Sequence, residues 1–327
     1  MWKIGDIEIK SRVVLAPMAG ITSFGYRSFM EKFGVGLTYT EMISDMGLIY
    51  NNTETKDYLD YPETNIPCTV QLFGSDAENL AKAAKLVQKL SPFTKIIDIN
   101  MACPVPKVTK NGSGSALLKD PLKMKEIVSK IKQETGLLVT AKIRLGFDKN
   151  SINVFETIKA LEEGGVSAIA LHARTAKDLY MGKPNFEIVK DLRKKMNVPL
   201  IISGNIYSVE EAVSALEITG ADAVMIARGA MGNPILATNI NNYLNGIEDR
   251  ISPTLDEEIS YCLDLAKYLI KEKGEEKAMR VYRGISPRFF NGFPNAKVLR
   301  NTLSTSLTDY QSLVDILESY KNSLNVE

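Results

Sequence analysis

Cys103, Lys142 and His172 are the side chains in this sequence best suited to moving a proton or meeting a negative charge. Each lies at or near the end of an apolar run. Cys103 closes Asp98-Ile99-Asn100-Met101-Ala102-Cys103-Pro104, Lys142 precedes Arg144 in Ala141-Lys142-Ile143-Arg144, and His172 precedes Arg174 in His172-Ala173-Arg174-Thr175. A neutral thiol can act as a general acid. Charged groups among apolar neighbours cost free energy unless something anionic meets them. His172 is the only histidine in 327 residues, so any imidazole chemistry must pass through it. Plainer readings exist for both: a single cysteine is most often a small buried hydrophobe, and a lone histidine can be a satisfied structural group. Cys103, however, heads a long connection rich in glycine, serine and lysine that includes Lys107, Lys110 and Gly112–Ser115. A connection of that length in a compact domain is more often functional than idle, which moves Cys103 towards a reactive role.

Other segments have the makings of a ligand cradle. Pro17, Met18 and Ala19 in Ala16-Pro17-Met18-Ala19-Gly20 would let a flat molecule approach the backbone, although a tight turn explains them equally well. Gln71, between Val70 and Leu72, needs a hydrogen-bond partner if buried, either a ligand edge or a neighbouring backbone group. Ser203-Gly204-Asn205 and Ala227-Arg228-Gly229 are glycine-containing turns of the kind that direct N–H groups at a phosphate, and Arg228 adds a charge-assisted contact.

All of these groups follow short, β-branched-rich runs: 13–18, 37–43, 69–73, 96–100, 138–143, 168–172, 200–203 and 223–227. Helical periodicity fills most of the gaps, for example at 77–90, 121–134, 154–163 and 209–218. Continuous apolar strands alternating with amphipathic helices imply a parallel sheet covered on its outer face. Eight units over about 240 residues match a closed (β/α)8 TIM barrel, whose chemistry lies at the C-terminal strand ends, better than a doubly wound sheet. Residues 2–4 and 7–9 around Gly5-Asp6 read as a hairpin able to plug the N-terminal end of the barrel. We therefore expect an α/β architecture, with a catalytic barrel over residues 1–246 and a small C-terminal helical domain over 250–327. In the latter, Ile259, Leu263, Ala266 and Ile270 share one helical face.

The composition is that of an ordinary soluble globular protein, 45% hydrophobic and 24% charged, with a formal net charge of +1. No apolar run reaches the roughly 18 residues that a membrane span needs. Three scattered cysteines, Cys68, Cys103 and Cys262, make neither a disulfide framework nor a metal site, so we expect a cytoplasmic protein without metal. A monomer is the default expectation. Residues 277–300 carry Lys277, Arg280, Arg283, Arg288, Lys297 and Arg300 and no acid, which is either a solvated basic face or a surface for a phosphate backbone.

Taken together, the sequence resembles the tRNA-dihydrouridine synthases. The matching motifs are Ala16-Pro17-Met18-Ala19-Gly20-Ile21-Thr22, Val70-Gln71-Leu72-Phe73-Gly74 and the Asp98–Pro104 run with its extension through Gly114-Ser115-Ala116-Leu117-Leu118. Lys142-Ile143-Arg144, His172-Ala173-Arg174-Thr175, Ala227-Arg228-Gly229 and Phe293-Pro294-Asn295-Ala296 complete the set. The resemblance implies FMN as cofactor, NADPH as reductant and uridine in tRNA as substrate. It also implies Cys103 as proton donor, and a flavin lying along Pro17, Met18 and Ala19 with Gln71 and Lys142 at its polar edge. His172 would lie near the cofactor, and Ser203, Gly204, Asn205, Ala227, Arg228 and Gly229 would hold its phosphate. Asn100, Arg144, Arg174, Lys107, Lys110, Arg280, Arg283 and Arg288 would face the RNA. The chain departs from the family pattern at Ala102, where glycine is usual, at Ser203 and Asn205, and at Arg280-Val281-Tyr282. An FMN barrel acting on a free pyrimidine, as in dihydroorotate dehydrogenases, is the nearest alternative, and the basic tail argues against it.

Overall fold

The computed structural model describes residues 1–59 and 62–324. Eight parallel strand positions follow one another around a barrel: Val13–Leu15, Thr38–Tyr39 with its continuation Ile43–Ser44, Cys68–Phe73, Ile96–Asn100, Leu138–Arg144, Ala168–His172, Leu200–Ser203 and Ala223–Ile226. Each pairs in parallel with its neighbour in sequence, and the eighth returns to the first through Val224↔Val13 and Ile226↔Leu15. Between the first and second strands the seam is a single bridge, Val14↔Leu37, reinforced by Gly36 N–H to the Val13 carbonyl and Leu15 N–H to the Leu37 carbonyl, both 2.9 Å. The barrel is thus nearly closed. Its strands are buried over most of their length, as expected where helices cover the outside and side chains fill the inside.

The second strand is interrupted. Gln71 donates its backbone N–H to the Thr40 hydroxyl at 3.0 Å rather than to a carbonyl of a continuous strand. The chain then bends so that Glu41 accepts the Gly20 N–H from the turn after the first strand. This break ties the first two strand ends together at the barrel mouth.

Helices Ala77–Leu90, Pro121–Thr135, Val154–Glu163 and Val209–Thr219 occupy the expected positions. Asp76, Asp120 and Ser208 cap three of them by accepting from Asn79, Lys123 and Glu211. In the sixth unit the segment between Arg174 and Val198 forms only two 3-10 turns, Glu187–Val189 and Leu192–Lys195, in place of a covering helix. The hairpin Trp2–Ile4/Ile7–Ile9 does plug the barrel floor. Trp2, Ile4 and Ile9 pack with inward-facing Val14, Leu37, Ile96, Ala168, Ile201 and Ala223.

Past the helix Ile235–Leu244 the described chain is helical, with Leu255–Lys273, Glu275–Tyr282, Ala296–Thr305 and Tyr310–Leu324. The helix Leu255–Lys273 lies against the first barrel helix, Phe24–Glu31. There Glu272 accepts from Ser23 Oγ and from the N–H groups of Phe24 and Gly25, so a carboxylate from the tail caps a barrel helix. A Cβ at Gly25 would lie 2.7 Å from the Tyr268 carbonyl oxygen, so this close approach requires glycine. Among the described residues no helix is long and apolar enough to cross a membrane, and no group of three or more His, Cys, Asp or Glu side chains is placed to hold a metal.

Candidate active site

The C-terminal strand ends open into a cavity of about 400 Å³, within the range of small-molecule and cofactor sites. Residues from every side of the barrel reach it. Pro17, Met18 and Ala19 come from the first strand end, Gln71 from the third, and Asn100 and Cys103 from the fourth. Lys142 and Arg144 come from the fifth, His172 from the sixth, Ser203, Gly204 and Asn205 from the seventh, and Ala227, Arg228 and Gly229 from the eighth.

One side of this cavity is a chain of hydrogen bonds. Asp98, with no solvent exposure, accepts from Gln71 Nε2 at 2.7 Å and from Thr140 Oγ1 at 2.7 Å. Gln71 Oε1 accepts from Asn100 Nδ2 at 2.8 Å. Asn100 Oδ1 then accepts the backbone N–H of Cys103 at 2.8 Å and of Ala102 at 3.2 Å. Burial pushes the Asp98 carboxyl up to about 6, against the hydrogen bonds from Thr140 and Gln71 and the charge of Lys142. Burial also pushes the Lys142 ammonium down to about 8, with Arg144 adding to the effect and Asp98 and Cys103 opposing it.

The glycine-rich connection after Cys103 is folded rather than loose. Pro106–Thr109 is a short helix and Gly114–Lys119 a 3-10 turn, and Ser115 donates its N–H to the Cys103 carbonyl at 2.9 Å. Gly114 has φ +58, and a Cβ there would come within 2.7 Å of that same carbonyl oxygen, so the fold-back needs glycine. Lys107 and Lys110 lie outside the main cavity and are exposed. They line a second hollow with Lys119 and Phe147, where the Lys119 ammonium sits 3.8 Å from the ring centroid.

His172 is buried and held neutral. Burial, and after it the charges of Lys142, Arg144, Arg174 and Arg228, drive its pKa well below the ordinary imidazole range. Its Nε2 lies 3.0 Å from Arg174 Nη1. A guanidinium can only donate, so Nε2 must carry the lone pair and Nδ1 the proton. This imidazole is therefore poorly suited to act as a cationic acid.

Two arginines expected to face the RNA have other partners. Arg174 is absent from the cavity wall; besides His172 it donates to the carbonyls of Met181 and Gly182. Arg144 reaches the wall but donates to the carbonyls of Ala102, Thr175 and Leu179 at 2.8–2.9 Å. Buried cations need acceptors, and here backbone carbonyls supply them. Together the two guanidiniums fix segment 175–182, which brings Tyr180, 55% exposed, to the rim. In the tail, Arg283 donates to the Leu307 carbonyl and Arg280 pairs with Glu276, while Arg288 is exposed. None of these three tail residues lines the cavity.

The opposite side is open. The N–H groups of Gly204, Asn205, Arg228 and Gly229 take no backbone partner among the described residues. A Cβ on Gly229 would lie 2.0 Å from the Ile206 carbonyl oxygen, so the two turns touch only because this residue is glycine. Arg228 is exposed above them, 4.9 Å from the Tyr180 ring centroid and 5.9 Å from that of Tyr207. Sequence reasoning missed Tyr180, Tyr207 and Met42 as wall residues. Aromatic or thioether side chains in irregular segments carry no periodic signal; the Arg228 turn beside them is the one hint.

A nearly closed parallel barrel, with a thiol, a lysine, a neutral imidazole and an anion-ready turn pair converging at its C-terminal end, defines an enzyme of the (β/α)8 class. The family described as "Dihydrouridine synthase (Dus)" matches residues 14–325, and the chain belongs to that family. It is 33% identical over 320 residues to "tRNA-dihydrouridine synthase B" of Pasteurella multocida, covering 98% of this chain and 96% of that one. It is 31% identical over 330 residues to "Probable tRNA-dihydrouridine synthase" of Rickettsia bellii, covering all of both. Among solved structures, histamine dehydrogenase from Rhizobium sp. 4-9 superposes with a TM-score of 0.58 at 14% identity, over 82% of this chain and 50% of that one. A variant of NCR from Zymomonas mobilis gives 0.51 at 15% identity, over 79% and 93%. Likeness at that level shows the barrel fold alone.

Proposed function

We propose that this enzyme reduces the C5=C6 bond of uridine in tRNA to 5,6-dihydrouridine, using FMN as cofactor and NADPH as reductant. The family and the names of its relatives support the substrate class. The observation that carries the reading is the cavity itself, where the thiol of Cys103 and the ammonium of Lys142 share one wall and unpartnered N–H groups with Arg228 form the other.

The residues present fit a flavin mononucleotide. Small and apolar groups at Pro17, Met18 and Ala19 suit a planar ring, Gln71 and Lys142 suit its polar edge, and Ser203–Asn205 with Ala227–Gly229 suit its phosphate. When bound and reduced, the flavin supplies the hydride that saturates C6 of the uracil ring. Lys142, largely protonated at neutral pH, supplies positive charge where a negative charge must be held. Cys103 gives its S–H proton to C5, completing the saturated ring. His172, neutral with Nδ1 protonated, lines the cavity with one N–H donor and no titrating charge. A stacked base cannot enter this mouth, so the target uridine must be turned out of the RNA. Lys107, Lys110, Arg280 and Arg288, exposed on the barrel rim and tail, are suited to phosphate contacts that offset that cost. Arg283, half-buried and tied to Leu307, is suited to holding the tail in shape beneath such a surface.

The test is direct. Incubation of the purified protein with NADPH and an unmodified tRNA transcript should produce dihydrouridine by nucleoside mass analysis. Turnover of free uracil or orotate in preference to tRNA would contradict the proposal.

A further inference from the structure

Asp98 is not part of the cavity wall, yet the hydrogen-bonded chain in that wall ends on it. A carboxylate buried without solvent is costly, and among the described residues this one has two neutral donors, Gln71 and Thr140. An ionised carboxylate can only accept hydrogen bonds. Gln71 must therefore turn its NH2 towards Asp98 and its oxygen towards Asn100. Asn100 must in turn present its own NH2 to Gln71 and its oxygen to the N–H groups of Ala102 and Cys103. An amide side chain is nearly symmetric in shape, so sterics alone would leave either orientation open. One-way groups at both ends remove that freedom for both amides: the carboxylate at the foot only accepts, and the N–H groups of Ala102 and Cys103 at the head only donate. Two consequences follow at the cavity. Gln71 keeps an N–H beyond those committed to the chain, Asn100 directs Nδ2 also at Met42 Sδ, 3.9 Å away, and the Cys103 backbone is pinned by an oxygen held from both ends of the chain.

We propose that Asp98 is a positioning residue: through Gln71 and Asn100 it fixes the direction of both cavity amides and the main-chain placement of Cys103. Its bearing on catalysis rests on the proposed function above; the hydrogen-bond chain does not. The two are separated by measuring the full-length chain freed of cofactor and without RNA. Asp98→Asn keeps the shape but replaces an acceptor-only group with one that can also donate, so the orientation of Gln71 is enforced from the Cys103 end alone. Amide hydrogen exchange at Cys103 and Ala102 should then accelerate by about tenfold, the scale of one lost hydrogen bond, while amides of the Trp2–Ile4 strand stay unchanged. With cofactor and tRNA restored, the same variant should lose about tenfold in kcat for uridine reduction, with KM for tRNA within about twofold of the parent. Thr140→Val removes one of the two donors that hold Asp98 and should move the same two amides by about threefold, which keeps the proposal testable if Asp98→Asn does not fold. Unchanged exchange at Cys103 in these variants, or acceleration shared equally by the hairpin amides, would overturn it. Altered exchange with a parent that never reduces tRNA would instead sink the proposed function and leave the chain intact.

Discussion

The two walls of the cavity solve opposite problems. On the third to fifth strands the buried carboxylate and the two amides form one committed chain: Asp98 to Gln71 and Thr140, Gln71 to Asn100, and Asn100 to Cys103. On the seventh and eighth strands the backbone donors of Gly204, Asn205, Arg228 and Gly229 are uncommitted and Arg228 is solvent-exposed. A satisfied network is rigid and holds a reacting group in place before any ligand arrives. An unsatisfied one gains its partners only on binding, so its free energy goes into affinity. On the proposed function, geometry for chemistry is built on one wall and capacity for an anion on the other.

If that division holds, mutations on the two walls should fail differently. The largest effect belongs to Cys103→Ala. It should lower uridine reduction by at least about 100-fold, the lower range for a general acid, while flavin content and NADPH oxidation by oxygen persist. Single-turnover assays with tRNA check this, and full turnover would remove Cys103 from its role. Arg228→Ala should do the reverse, weakening FMN binding by about tenfold through loss of a charge-assisted contact, with the Cys103 wall unaffected. Flavin titration of the cofactor-free protein measures it, and undiminished occupancy would contradict the phosphate assignment.

Smaller effects come with pH. The Lys142 ammonium is pushed down to about 8, so its charge is complete below that value and is lost as pH rises through it. The rate of uridine reduction should be level below about 8 and fall above it; a profile flat to pH 10 would remove Lys142 as a charge donor. Asp98 gives the smallest expected signal. Its folded carboxyl, at about 6 against an ordinary 3.8, binds a proton more readily than in the unfolded chain. Stability from this group therefore declines as pH rises from 3.8 to about 6. Asp98→Asn lacks that decline, so the difference in melting temperature should move in favour of the variant across the same window. A constant difference would contradict the burial of that charge.

How much of this could be read from residues alone differs between the two walls. The strands were legible because parallel barrel strands, buried on both faces, are near-continuous apolar runs. The glycine turns at Gly204 and Gly229 were legible because backbone geometry demands a particular residue. The place of Cys103, Lys142 and His172 at the cavity was visible from residue type and position at the strand ends. Direction was not visible. Arg144 and Arg174 announce positive charge in sequence, but their acceptors are carbonyls up to 42 positions away, so their structural use emerges only in the folded chain. The same holds for Asp98 and Gln71, which are 27 positions apart and adjacent in the barrel. The missing helix of the sixth unit follows the same logic. Segment 175–182 is ordered by those two arginines, not by helical periodicity.

The most direct test is a single comparison on flavin-loaded protein reduced under anaerobic conditions and mixed with unmodified tRNA. The account predicts that the parent reoxidises its flavin and adds two hydrogens per target uridine, while Cys103→Ala holds the same reduced flavin and leaves the tRNA mass unchanged. Equal mass gain by both proteins would contradict it.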